Sequence, residues 1–275
     1  MLIDILNQFK LHPFISDKAS IETYSSPFPH IVIKNLLKDS IYESLSSNFK
    51  KYIDSTTKFG RIGNTDKTYD AKIYCMKEQD CKDGYEFFAS PFWKDFVSYL
   101  FSIQFNQHLA YSLHYHEPNT VDGHSHRDLG ICSAIPDYSK KVKLTGDCLY
   151  ADDSKYKQPH TDKIIRSVAG LYYFNNDTDG SDEMGGGTAI YKNYEAELEK
   201  IIPPINNSFF MFKIGVKSFH GFKKSKFYRS AMVQWFHSDL KYFIEKNSSE
   251  FEKCGQSIHE SFERWIPDEE LCDLP

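Results

Sequence analysis

The sequence predicts a mainly β protein with flanking helices. Three observations carry this expectation. From about Leu109 onward, short runs rich in β-branched and aromatic residues alternate with turn signals. Before that point, two segments carry the four-residue apolar spacing or the capping signal of a helix. No regular strand–helix–strand alternation of the kind that builds a parallel sheet is present.

The elements follow in order. "PFPHIVIKNLL" leaves a Pro-rich turn and places Ile31, Val32 and Ile33 in a β-branched run, which reads as a strand. "KDSIYESLSSNFKKYI" spaces Ile41, Leu45, Phe49 and Ile53 by four, one face of a helix. "SPFWKDFVSYLFSIQF" is a second helix, with Ser90 as cap before Pro91. The strand-like runs are "LAYSLHYHE", "SVAGLYYFN", "GGGTAIYKN", "NSFFMFKIG" and "FYRSAMVQWFH". Several strands at such spacing point to a sandwich or barrel. The polar stretch 137–158 has no period and reads as a lid or binding loop. No linker divides the chain. The expectation is one domain over 1–275, with an N-terminal strand and supporting helices in 1–108, a β core in 109–238 and a charged, partly helical tail in 239–275.

Composition excludes several classes. Among 275 residues, 40% are apolar and 16% aromatic, enough to bury a core and offset ordering entropy. Net charge is -5, from 33 basic and 38 acidic residues, so no broad basic surface awaits a phosphate backbone and nucleic acid is not an expected partner. "KKSK" (Lys223 to Lys226) reads as a solvated loop. Six cysteines are scattered without a Cys-x-x-Cys pair, which argues against a structural zinc site. The N-terminal "MLIDILNQFKLHPF" has no apolar signal region, and no run approaches the roughly 18 apolar residues of a membrane span. A cytoplasmic protein with reduced thiols is expected.

Three His-x-Asp triplets occur: His126-Arg127-Asp128, His160-Thr161-Asp162 and His237-Ser238-Asp239. Two imidazoles and one carboxylate on one face of an iron ion leave positions open for oxygen chemistry. Residues two apart on a strand share a side, so such a triplet can supply two ligands while a distal His supplies the third. The third triplet is followed only by His259, in the charged tail. The first lies in loop-like surroundings between Gly123 and Gly130. The second precedes the apolar strand Val168 to Phe174 and a Gly-rich turn at Gly185 to Gly187, with His220 on the following "VKSFHGF". Arg229 stands nine residues after His220 and opens a strand where Arg229, Ala231, Val233 and Trp235 share a face. A guanidinium on an apolar face is costly unless a carboxylate meets it, and a small dicarboxylic acid would supply one. A second metal reading rests on His114, His116, His124 and His126, which resemble the His-x-His of cupins and would make a metal-binding barrel without turnover.

The order His-x-Asp, "YYFN", Gly-Gly, distal His and Arg nine residues on resembles the 2-oxoglutarate/Fe(II)-dependent oxygenases, in particular their prolyl-hydroxylase-like branch, from about Pro27 to Phe236. The resemblance implies a double-stranded β-helix, or jelly roll. It implies that His160, Asp162 and His220 hold Fe(II), that Arg229 binds the distal carboxylate of 2-oxoglutarate, and that Tyr173 assists it. It further implies an enzyme that uses dioxygen to hydroxylate an unactivated C–H of an amino acid, a peptide or protein residue, or a small metabolite, releasing succinate and carbon dioxide. Halogenating relatives lack the carboxylate ligand. The long polar segment before His160, preceded by its own His126/Asp128 pair, departs from the pattern and leaves the choice of triad open.

Overall fold

A computed structural model describes residues 2–55, 59–62, 69–134, 142–144, 162–178, 180–181 and 183–262. The order is α1 (Leu2–Leu11), β1 (Ser20–Tyr24), β2 (His30–Lys34), α2 (Asp39–Asp54), β3 (Phe59–Ile62), β4 (Tyr69–Cys75), α3 (Tyr85–Phe88), α4 (Pro91–Phe101), β5 (His108–His116), β6 (Ile131–Ala134), β7 (Lys143–Leu144), β8 (Asp162–Tyr173), β9 (Thr188–Tyr191), β10 (Leu198–Ile202), β11 (Ser208–Lys213), β12 (His220–Phe222), β13 (Arg229–Asp239) and α5 (Leu240–Lys253). The larger sheet runs β1-β2-β11-β8-β13-β5-β4-β3, with β6 on β8 and β7 on β5; the smaller runs β10-β9-β12.

Strand alternation sorts the side chains of the large sheet into two cores. Phe209 and Met211 of β11, Tyr172 of β8, and Met232 and Phe236 of β13 face the helices, packing with Phe9, Leu45, Phe49, Trp93 and Phe96. Their neighbours Phe210, Phe212, Tyr173, Ala231, Val233 and Trp235 face the other way, with Ile190 and Ile202 of the small sheet and Phe243 and Phe251 of α5. The site lies on this second face. Gln234 fixes the helical layer to β13: it accepts from Trp93 Nε1 at 2.9 Å and donates to the Phe88 carbonyl at 2.7 Å.

Both expected helices form. The α2 face buries Leu45, Phe49 and Ile53. Ser90 caps α4 by accepting from the Trp93 backbone N–H at 3.1 Å, with Pro91 in the first turn. The charged tail contributes α5. Helix α1, and strands β1, β3, β4, β6, β7, β10 and β12, go beyond the sequence reading. The lid-like stretch 137–158 lies outside the described residues except at 142–144, where Lys143 and Leu144 pair in parallel with His108 and Leu109. No helix among the described residues is long and apolar enough to cross a membrane.

Candidate metal centre

His220 opens β12 in the small sheet, and the chain at His126 runs antiparallel to it. The two residues exchange backbone hydrogen bonds, His126 N–H to His220 O at 3.0 Å and His220 N–H to His126 O at 2.9 Å. This pairing brings the imidazoles to 4.3 Å between centroids. Two residues on, Asp128 adopts a left-handed φ of 62°, a conformation Asp tolerates better than most residues. Its carboxylate stands between the rings, Oδ1 at 3.4 Å from His126 Nε2 and Oδ2 at 3.7 Å from His220 Nε2. Among the described residues, His126, Asp128 and His220 are the set whose ligand atoms converge, all within 4.8 Å of one another.

The donor set fits a divalent metal. Each imidazole places Nδ1 on a backbone carbonyl, His126 on His124 O at 3.1 Å and His220 on Ser218 O at 2.9 Å. A carbonyl only accepts, so Nδ1 carries the proton and the Nε2 lone pair is turned toward the carboxylate. That is the tautomer and orientation a metal ligand requires. His220 is buried, and burial, followed by the charge of His126, lowers its pKa to about 4. For Asp128 burial alone would raise the carboxyl; once the imidazoles are protonated, the His126 hydrogen bond and the charges of His126, His220 and Arg166 outweigh it and hold the group well below the usual carboxylate range.

Two residues of the large sheet brace Asp128. Trp235 Nε1 donates to Oδ2 at 3.0 Å. Arg166 Nη1 lies 3.7 Å from Oδ1, and its guanidinium sits 4.6 Å above the Trp235 ring. Arg166 reaches this face through a bulge. Val168 pairs with Phe236 but Arg166 pairs with His237, so two residues of β8 oppose one step of β13 and the side chain is turned inward.

Arg229 lies on the same face and is 2% exposed. Its Nε donates to Gly186 O at 2.6 Å, and the guanidinium lies 5.3 Å from the Tyr173 ring and 5.0 Å from the Phe222 ring. Gly186 and its neighbour Gly185 have φ of 75° and 69°, and a Cβ on Gly185 would meet Lys224 O at 2.2 Å, so this turn requires glycine. The Tyr173 hydroxyl shares a 2.7 Å hydrogen bond with Thr188 Oγ1. His116 pairs with Arg229 across β5 and β13, and stacks on Phe222 at 4.4 Å.

Of the residues expected at the site, His220, Arg229 and Tyr173 line this face. His160 lies outside the described residues. Asp162 begins β8 and pairs with Ala134, four residues from Arg166. At about 3.3 Å per strand residue, its backbone is roughly 13 Å from that of Arg166, the residue beside Asp128. The four-histidine alternative is divided: His126 joins the cluster, while His114 and His116 lie on β5, His114 bonded to Ser112 Oγ at 2.8 Å. Sequence reasoning missed Arg166, whose placement depends on the bulge. It placed Trp235 on the Arg229 face without seeing its link to Asp128; the period-two spacing held that signal.

Residues 148–237 match the family model described as the 2OG-Fe(II) oxygenase superfamily. The matched segment contains His160, Asp162, Tyr173, His220 and Arg229 and begins beyond Asp128. A prolyl hydroxylase from Trichoplax adhaerens, solved with a hypoxia inducible factor oxygen degradation domain peptide fragment, shares the fold with a TM-score of 0.51 and 17% identity, covering 79% of this chain and 87% of that one. A Pseudomonas putida prolyl-4-hydroxylase shares it with a TM-score of 0.50 and 12% identity, covering 86% and 98%. At these identities the likeness establishes the fold, a jelly-roll core with flanking helices. No curated protein matches the chain. Over residues 148–237 the chain is thus similar to the 2OG-Fe(II) oxygenase superfamily, and it shares the fold of these prolyl hydroxylases. The cofactors of that superfamily are Fe(II), 2-oxoglutarate and dioxygen.

Proposed function

We propose that His126, Asp128 and His220 hold Fe(II), that Arg229 and Tyr173 receive the distal carboxylate of 2-oxoglutarate, and that the chain, acting as one catalytic domain, hydroxylates an unactivated C–H of an amino acid, a peptide or protein residue, or a small metabolite. The observation that carries this is the convergence of two Nε2 atoms and a carboxylate within 4.8 Å, on the face that also holds a buried guanidinium. Bound Fe(II) with 2-oxoglutarate supplies the oxidising chemistry that inserts an oxygen atom from dioxygen into a C–H bond, with succinate and carbon dioxide as coproducts.

The side chains supply position and charge. His126 and His220 offer preset Nε2 lone pairs, so little reorganisation accompanies metal binding. Asp128 brings one negative charge, and Trp235 and Arg166 fix its plane. Arg229 is held by Gly186 O and by the aromatic faces of Tyr173 and Phe222. A carboxylate placed against it would gain a charge-assisted contact in buried surroundings, where such contacts are strong. His114 and His116, both buried, stay neutral there and add no competing charge: burial, then the charge of Arg229, lowers His114 to about 3 and His116 well below the ordinary range.

A second assignment, His160 and Asp162 with His220, is favoured by one observation: the segment matched by the family model contains that triplet. The hydroxylase reading itself is tested by adding Fe(II) and 2-oxoglutarate without oxygen. A weak visible charge-transfer band is expected, followed on aeration by succinate formation stimulated by amino acids or peptides. Metal uptake without the band, and no succinate, contradicts it.

A further inference from the structure

The residue between two of the proposed ligands does not face the metal. Arg127 points out of the cluster toward the segment that follows α5. Its Nη1 donates to Gln256 Oε1 at 2.8 Å and to Val216 O at 3.5 Å, and its Nη2 donates to Ser261 O at 3.4 Å. Its guanidinium also lies 5.2 Å from the Phe219 ring. One side chain thus touches the C-terminal segment and both sides of the turn leading to His220.

That segment is itself anchored. Ile258 and Phe262 are 5% and 7% exposed and pack into the cluster that contains Trp235. The Gln256 backbone N–H donates to Phe251 O at 3.0 Å. On the inner side, fully buried Ser218 joins the two ligand-bearing segments. Its hydroxyl donates to Arg127 O at 3.1 Å, and its carbonyl accepts from His220 Nδ1 at 2.9 Å. A continuous chain of contacts therefore runs from Gln256 and Ser261 through Arg127 and Ser218 to His220. Asp128 adopts its left-handed backbone directly after the clamped residue.

We infer that Arg127 is a positioning residue, through which the segment 256–261 sets the affinity of the centre for its metal. The inference rests on the assignment of His126, Asp128 and His220 as ligands. The guanidinium fork suits this role, because it reaches several acceptors at once in a fixed geometry, which an ammonium on a flexible stem does not.

The test is Co(II) affinity, measured by chelator competition on the full-length protein, beside the melting temperature of the metal-free form. Arg127→Ala is expected to weaken binding about ten-fold or more, the range seen when partners of metal ligands are removed. Gln256→Ala, at an exposed position, is expected to weaken it in the same direction without lowering the metal-free melting temperature, and Gln256→Glu to restore it. Affinities of Arg127→Ala and Gln256→Ala within two-fold of wild type overturn the inference. So does a fall in the metal-free melting temperature of Gln256→Ala that parallels its loss of affinity, which reduces the contact to a structural one. Asp128→Ala separates the two levels: wild-type affinity in that variant overturns the ligand assignment itself.

Discussion

Trp235 donates its indole N–H to Asp128 Oδ2 at 3.0 Å, across the gap between the large sheet and the loop that carries His126 and Asp128. The hydrogen bond joins β13, which also begins with Arg229, to the one carboxylate of the cluster. Trp235→Phe keeps an aromatic surface beneath Arg166 and removes the donor. Its metal affinity should fall about ten-fold, read by chelator competition. An unchanged affinity would mean that the indole does not orient the carboxylate.

Arg229→Gln should separate cosubstrate from metal. The guanidinium is buried, held by Gly186 O and flanked by the Tyr173 and Phe222 rings. The variant should raise the 2-oxoglutarate Kd by more than about ten-fold, the effect of losing a buried charge-assisted contact, and leave Co(II) binding within two-fold. Isothermal titration with 2-oxoglutarate on the Co(II) form reads this. Equal loss of both affinities would make Arg229 a structural residue.

Acid should destabilise the metal-free protein through buried imidazoles. His30 is lowered chiefly by burial, His114 stands at about 3 and His116 lies well below the ordinary 6.5. On unfolding each returns toward 6.5, so between the folded value and 6.5 the unfolded chain binds more protons. The stability these groups permit is complete above pH 6.5 and is lost as pH falls below it. For His114 the loss at pH 5 is about 2 kcal/mol. The depressed carboxyl of Asp128 acts only at lower pH, below the ordinary carboxylate value of 3.8. Melting temperatures at pH 7 and pH 5 should therefore diverge less in His114→Gln than in wild type. Equal divergence removes His114 from this account.

Gly170→Ala should destabilise the helix-facing core. A Cβ there would lie 2.2 Å from Phe209 Cε1 and 3.1 Å from Met211 Cγ. Phe209 cannot easily yield, because Phe88, Trp93 and Tyr172 surround it. A cost of about 1–3 kcal/mol is expected, visible as a melting temperature lower by several degrees. A melting temperature within one degree of wild type contradicts the packing.

Local signals in the sequence carried the fold a long way. The spacing of Leu45, Phe49 and Ile53, the Ser90-Pro91 start and the alternation in "RSAMVQWF" each produced the expected element. His220, Arg229 and Tyr173 could be named as candidates because their order and spacing resemble a known pattern. For the partners of His220 the sequence offered two triplets, His126/Asp128 and His160/Asp162, and did not choose between them. His126 reaches His220 through a two-residue bridge between a loop and a three-residue strand, and so short a pairing leaves no period to read. Arg166 was hidden for a related reason, since a bulge changes which face a residue takes without changing composition. Arg127 looked like a spacer between ligands, and its hydrogen-bond partners lie 89 to 134 residues away in the chain.

The most direct measurement is Co(II) binding to Asp128→Ala and Asp162→Ala side by side, with succinate formation measured after loading Fe(II). The convergence of His126, Asp128 and His220 predicts that Asp128→Ala loses both metal and turnover, while Asp162→Ala keeps both near wild type. The reverse result, with Asp162→Ala inactive and Asp128→Ala intact, would move the iron to the later triplet and contradict this account.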